Sequence, residues 1–233
     1  MAEKMRESKN SEQTPVNFVQ HQPMEIEKRS FEIIASELPH PLDPVLAPII
    51  MRVIHTTADF SYADSLCFSE GVVEQAQATL QKGCTIVTDT NMAKSGINRA
   101  ALKKLGAKVC CFMAEAEIAE RAKAEGTTRA VASMDKAAEL EGPLIFAIGN
   151  APTALKRLVE LAEAGRLQPA LIIGVPVGFV NVVEAKEILL RSGLPSIVNR
   201  GRKGGSNVAA AIVNALMYLS LIHISEPTRL LSI

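Results

Sequence analysis

Apolar and polar positions follow two rhythms along this chain. In the first third they recur at helical spacing. Ile26, Phe31, Ile33, Ile34 and Leu38 can line one side of a helix over residues 24–38, which Pro39 and Pro41 then end. Asp43-Pro44 is expected to open a second helix, with Asp43 as N-cap and Pro44 in the first helical position; it runs to His55. A short apolar piece at residues 66–69 and a helix over 71–83 follow. From residue 84 onward, runs of four to six apolar, often β-branched residues alternate with helical sequence. The runs at 84–89, 107–112, 144–148, 170–175 and 196–199 predict strands. The stretches at 98–105, 152–164, 182–191 and 207–219 predict helices, as does the sequence up to residue 141, with a break at Gly126-Thr127-Thr128. This alternation implies an α/β, three-layer fold: a parallel sheet of about five strands with right-handed crossovers and an N-terminal helical extension. Ligands of such folds sit at the carboxyl ends of the strands.

Two segments fall outside the pattern. Residues 1–23 are polar and aperiodic and read as a flexible tail. Residues 220–233, Ser-Leu-Ile-His-Ile-Ser-Glu-Pro-Thr-Arg-Leu-Leu-Ser-Ile, have no packing role assignable from sequence. They read like translated adapter sequence, and His223 goes with them.

Composition narrows the function classes. The 233 residues hold 25 Lys plus Arg against 25 Asp plus Glu, so no global basic field points to nucleic acid, and any anion site must be local. No apolar run approaches a bilayer span and the first residues lack a signal-peptide core, so no membrane association and a cytoplasmic location are expected. Cys67, Cys84, Cys110 and Cys111 form no C-x-x-C pair and read as reduced thiols; the scattered histidines share no ligand spacing with them, so no metal site is expected.

Candidate chemistry lies in two places. Arg52 and His55, three apart near the end of an apolar helix, leave from the same face. Such a pair can hold and protonate an anionic ligand, or can simply complement a helix dipole. The other candidates are glycine-rich strand ends: Ile148-Gly149-Asn150-Ala151-Pro152, Gly174-Val175-Pro176-Val177-Gly178-Phe179-Val180, and Asn199-Arg200-Gly201-Arg202-Lys203-Gly204-Gly205-Ser206. The unpaired N–H groups of the first turn and the cations of the third suggest anion-binding points on one rim. The bland alternatives are tight turns and a solvated charge run. Neither the G-x-G-x-x-G nor the Walker order is present. Asp89, ending the first strand, is placed either as a site residue or as a turn cap. Ser30 faces solvent or ligand, Arg129 stands at a helix start where the dipole offers an arginine nothing, and Asp59 is either a support for His55 or a surface aspartate.

In combination, Arg29-Ser30-Phe31, Arg52-Val53-Ile54-His55, Asp89-Thr90-Asn91-Met92, the Gly149-Asn150 turn, the Gly174–Val180 loop and Arg200-Gly201-Arg202-Lys203-Gly204-Gly205-Ser206 resemble the precorrin-8X methylmutase and cobalt-precorrin-8 methylmutase family over residues 24–219. The resemblance implies an isomerase of cobalamin (corrin) biosynthesis. Its members move a methyl group from C-11 to C-12 of the macrocycle by a 1,5-sigmatropic shift, without an organic cofactor, and work as homodimers with active sites near the subunit interface. It implies that His55 is the catalytic acid/base, that Ser30 and Arg52 contact the corrinoid and that Arg129 lies near it; Asp89, Asn150 and Arg200, from the strand ends, are further substrate-binding candidates. The bottom-up chemistry is compatible: a flat ring with many carboxylates suits dispersed cations, and one imidazole suffices to protonate it. The rival reading is a non-catalytic α/β protein that binds a corrinoid or another anionic small molecule. A nucleotide-dependent transferase using the Gly149 turn is a more distant one.

Overall fold

The computed structural model describes residues 22–225. Residues 1–21 of the expected tail, and residues 226–233, lie outside that range. The sheet has six strands rather than five: β1 (Leu66–Phe68), β2 (Thr85–Thr88), β3 (Lys108–Cys110), β4 (Leu144–Ile148), β5 (Leu171–Gly174) and β6 (Ser196–Asn199), in the order β1-β6-β5-β4-β2-β3. All neighbours are parallel except β1, which pairs antiparallel to β6. That added strand is the short apolar piece at residues 66–69. That piece has only three apolar residues in a row, and pairing with the free edge of β6 makes it a strand.

Alternation along the strands sorts the core into two faces. Ile86, Ile145, Ala147, Ile173 and Ile197 face one layer, whereas Val87, Phe146, Ile148, Ile172 and Val198 face the other. The first layer contains α2 (Ala47–Thr57), α4 (Val72–Gln81), α5 (Asn91–Gly96), α6 (Arg99–Leu105) and α11 (Ser206–Ser225); the short α3 (Tyr62–Ser65) joins α2 to β1. The second contains α7 (Ala116–Ala124), α8 (Arg129–Ala137), α9 (Pro152–Glu163) and α10 (Val182–Arg191). The N-terminal extension is α1 (Pro23–Glu37), which lies on α2 and is anchored by buried Ile34.

Helix α11 is the axis of the first layer. Its residues Val208 to Val213 are all buried, as are Ala215, Leu216 and Met217, because α2, α4, α5 and α6 all pack against it. Small side chains permit that crowding: a Cβ on Gly96 of α5 would stand 3.0 Å from the Ala210 Cβ. The helix also continues beyond residue 219. Ser220 is fully buried, accepts from the Gln81 amide at 3.3 Å through its carbonyl, and is followed by Leu221 against the core. No described helix is long and apolar enough to cross a membrane.

Helix α2 begins later than its proline suggested. Asp43 accepts from the Val45 N–H at 2.8 Å and caps a turn, and regular helix starts only at Ala47, with Pro48 in its first turn. Ile49, Ile50, Val53 and Ile54 form its buried stripe, each contributing roughly 1.5–3 kcal/mol on removal from water. That stripe seats the opposite face, with Arg52 and His55, beside α11.

Candidate active site

The site is a groove between two helices, overlain by a third. Helix α2 contributes Arg52, His55 and Thr56, which share one face by their spacing of three and four. Helix α11 contributes Asn207, Ala210, Ala211, Asn214 and Tyr218, again one stripe at helical spacing, and Gly96 closes one side. Together these residues enclose a cavity of about 290 Å³. The alanines supply an apolar floor, and the two asparagines and the tyrosine are polar positions in an otherwise apolar helix.

Helix α1 lays Glu27 and Phe31, four apart and so on one face, against α2. The Phe31 ring stacks on the His55 imidazole with centroids 5.3 Å apart and planes 19° from parallel. The Arg52 guanidinium lies over Phe31 at 4.8 Å and over Tyr218 at 5.2 Å, in contact with both aromatic faces. Its charge is paired with Glu27. His55 itself is exposed. Tyr218 is fixed from behind, its hydroxyl accepting from the Asn98 amide at 3.0 Å. Asn214 locks α11 to the turn between α5 and α6, accepting from the Asn98 N–H at 2.9 Å and donating to the Gly96 carbonyl at 2.9 Å.

Asp59 does not support the imidazole. Its carboxylate takes the Lys203 ammonium at 2.7 Å and the Ser61 N–H at 3.0 Å. The hydrogen bond from Lys203 holds its carboxyl below the usual range. Asp59 therefore ties the end of α2 to the loop that follows β6. Ala58 makes the bend in between: it caps α2 at φ 53°, its N–H donating to the Ile54 carbonyl at 2.7 Å.

The glycine-rich strand ends are filled by protein. Asp89 is fully buried, and its two oxygens accept from the N–H groups of Gly149 at 2.9 Å, Asn150 at 2.7 Å and Ala151 at 2.7 Å. Burial pushes this carboxyl up, and the three backbone donors oppose that rise. The expected anion point at the start of α9 is thus occupied by the chain's own carboxylate, and Asp89 is already spent on it. Gly149 is needed for close approach: a Cβ there would fall 2.7 Å from the Gly205 carbonyl oxygen and from the Ser206 Cα. Gly204, at φ 155°, presses on the Val175 carbonyl in the same way.

Of the third turn's cations, Lys203 is taken by Asp59 and Arg202 lies over the Phe179 ring at 5.5 Å. Arg200 is exposed, with its side chain 4.0 Å from Glu187, and its N–H donates to the Ser65 carbonyl at 2.8 Å. Beneath it lies a residue that sequence reading passed over. Lys186 is fully buried in α10, and its ammonium donates to the carbonyls of Gly201 and Lys203, each at 2.8 Å. Burial brings its pKa down to about 8.

The expected site residues therefore separate. Arg52 and His55 come together with Phe31 of α1, whereas Ser30, half-buried on the same helix, donates to the Ile26 carbonyl at 2.8 Å. Asn150 is exposed at the end of β4, and Arg129 is exposed at the start of α8, beside the Thr128–Thr153 hydroxyl pair at the head of α9. Arg129 belongs to the second helical layer, across the sheet from His55. Glu27, Phe31, Asn207, Asn214 and Tyr218 join the site without having been singled out. For the α11 residues a signal existed: polar positions at 207, 214 and 218 recur on one face of a helix that is otherwise apolar. Among the described residues no group of three or more His, Cys, Asp or Glu is placed to hold a metal ion, and the four cysteines are free.

The family model for precorrin-8X methylmutase matches residues 25–219. The chain belongs to the precorrin-8X methylmutase family. A cobalt-precorrin-8 methylmutase of Salmonella typhimurium is 44% identical over 210 residues, covering 87% of this chain and 98% of its own. A precorrin-8X methylmutase of Pseudomonas aeruginosa is 41% identical over 174 residues, covering 73% of this chain and 83% of its own. The solved structure of precorrin-8X methylmutase from Thermus thermophilus superposes with a TM-score of 0.80 at 43% identity, covering 86% of this chain and 97% of that one. Methylmutases are isomerases, and the family places this chain among the enzymes of cobalamin biosynthesis.

Proposed function

We propose that residues 24–219 catalyse the methyl shift from C-11 to C-12 of precorrin-8X or its cobalt-bearing counterpart, giving hydrogenobyrinate or cobyrinate, with His55 as proton donor. The observation that carries this reading is the pairing of His55 with Arg52 on one exposed face of α2, beside a groove with an apolar floor. In the imidazolium form His55 gives a proton to the macrocycle, drawing electron density from its π system. The methyl group then migrates, and the imidazole recovers the proton. Nothing is gained or lost overall, so the step needs neither nucleophile nor oxidant. Arg52, within cation–π distance of Phe31 and Tyr218, exchanges Glu27 for a carboxylate of the substrate. Ser30 borders the same face, and Asn150, Arg129 and Arg200 are the exposed polar residues left for the remaining acid groups.

A cavity of about 290 Å³ is small for a whole macrocycle, so the ring enters by one edge. We therefore also assign a homodimer, in which a second copy completes the enclosure. Exposed Val177, Phe179 and Val180 offer apolar surface for it, and Arg129, across the sheet from His55, is available to meet a neighbouring copy's substrate. Free thiols and the pathway's place in metabolism support a cytoplasmic location.

Anaerobic incubation with precorrin-8X, and separately with cobalt-precorrin-8, tests the activity. Conversion to the fully conjugated corrin chromophore in the visible spectrum is expected, and its absence with both substrates overturns the assignment. Binding without conversion would instead indicate a corrinoid carrier. Sedimentation equilibrium tests the dimer.

A further inference from the structure

Among the described residues the His55 ring makes no hydrogen bond, and its neighbour is Phe31. A histidine χ2 is a broad torsion, so an exposed imidazole at a helix end is poorly aimed unless something restricts its plane. Here the Phe31 ring does so, 5.3 Å away and 19° from parallel. The edge of the imidazole, where both nitrogens lie, is thereby left open. The same Phe31 ring carries the Arg52 guanidinium at 4.8 Å. The Tyr218 ring also contacts Arg52, at 5.2 Å. Phe31 is the aromatic residue in contact with both.

We infer that Phe31 is a positioning residue for the methyl shift, its ring holding the His55 imidazole and the Arg52 guanidinium in mutual register. The inference deepens the proposed function and rests on its assignment of His55 and Arg52. An aromatic face attracts a guanidinium and an imidazolium alike, so the ring holds the two cationic partners without introducing a hydrogen-bond acceptor that would compete for their protons. An aliphatic side chain of similar size preserves the packing of α1 on α2 and loses that attraction.

Bulk and aromaticity are separable by experiment. Phe31→Leu, Phe31→Tyr, Ile34→Ala and His55→Ala are compared in the chromophore assay, with kcat and KM resolved and thermal midpoints recorded. Ile34 is the buried anchor of α1, so Ile34→Ala reports what looser docking of the helix does when the aromatic ring itself is kept. Phe31→Leu should lower kcat at least about tenfold through lost aim while its thermal midpoint stays near the parent's, Phe31→Tyr should restore kcat to within a few-fold, and Ile34→Ala should lower the thermal midpoint more than Phe31→Leu does while lowering kcat less. Wild-type kcat in Phe31→Leu overturns the inference while leaving His55 as proton donor. A loss of kcat that simply tracks the fall in thermal midpoint across Phe31→Leu and Ile34→Ala overturns it too, since docking of α1 would then explain both. Undiminished turnover in His55→Ala removes the parent reading, and this inference falls with it.

Discussion

Two regions of this molecule carry the residue types from which ligand sites are built, and they use them oppositely. At the carboxyl rim, a strand-to-helix turn with outward N–H groups meets a buried aspartate, and the two satisfy each other: three donors at 2.7–2.9 Å converge on one carboxylate. The neighbouring glycines are there because backbone lies against backbone, as Gly149 does against Gly205. In the groove between α2 and α11, the imidazole of His55 has a stacking partner and no hydrogen bond among the described residues, and Arg52 has a surface carboxylate that a ligand can replace. The first region has its polar capacity consumed in folding. The second keeps it available. Anion-binding geometry indicates a ligand site only where the chain does not already supply the anion.

That contrast is most sharply tested by removing the groove's titratable group. His55→Ala should reduce turnover about 100- to 10,000-fold while the protein stays folded, as read from the rate of chromophore formation and an unchanged melting curve. The rim should respond the other way. Asp89→Ala leaves three N–H groups without their acceptor in a buried turn, and should cost on the order of 3 kcal/mol in urea unfolding. A stable Asp89→Ala protein that had lost only substrate affinity would return Asp89 to the binding site. Arg52→Met comes next, with both aromatic rings still able to pack on it. Loss of a charge-assisted contact worth about 2 kcal/mol should raise KM some tenfold or more, with kcat less affected. The smallest effect belongs to the tie between them. Lys203 holds the Asp59 carboxyl below its unfolded value, so the pair's contribution is present above about pH 4 and vanishes as pH falls through the folded pKa. With Lys203 largely exposed, Asp59→Asn should cost less than about 1 kcal/mol at pH 7 and nothing at pH 2, as equilibrium unfolding at the two pH values will show.

Much of the fold was readable from periodicity. The five mutually parallel strands and the helices between them follow from blocks of β-branched residues separated by helical stretches, because parallel strands are buried on both faces and write themselves as unbroken apolar runs. What escaped is short or decided by neighbours. β1 has three residues and needs β6 beside it; α5 is a six-residue helix; and Asp43-Pro44 caps a turn instead of the helix itself. Residues 220–221 were set aside as a tail, yet they continue α11 and bury Ser220. In the site, Arg52 and His55 were visible because helical spacing alone puts them on one face. Phe31 was not, since an aromatic at helical spacing reads as core until its partner is known. Lys186 was hidden for the same reason: inside Glu184-Ala185-Lys186-Glu187 it looks like a solvated face, and only the loop folded over α10 gives its ammonium two carbonyls.

Local spacing therefore decides which elements form and that an arginine and a histidine share a helix face. It is enough, with the joint order of the motifs, to place the chain in its family. Packing alone decides whether a polar group is free. An N–H, a carboxylate or an ammonium has the same chemistry in any context, and its availability depends on what the rest of the chain brings within hydrogen-bonding distance. Asp89 was brought to the turn at Gly149 from sixty residues away and disappeared into the core, whereas α1 brought Phe31 to His55 and left the imidazole edge open.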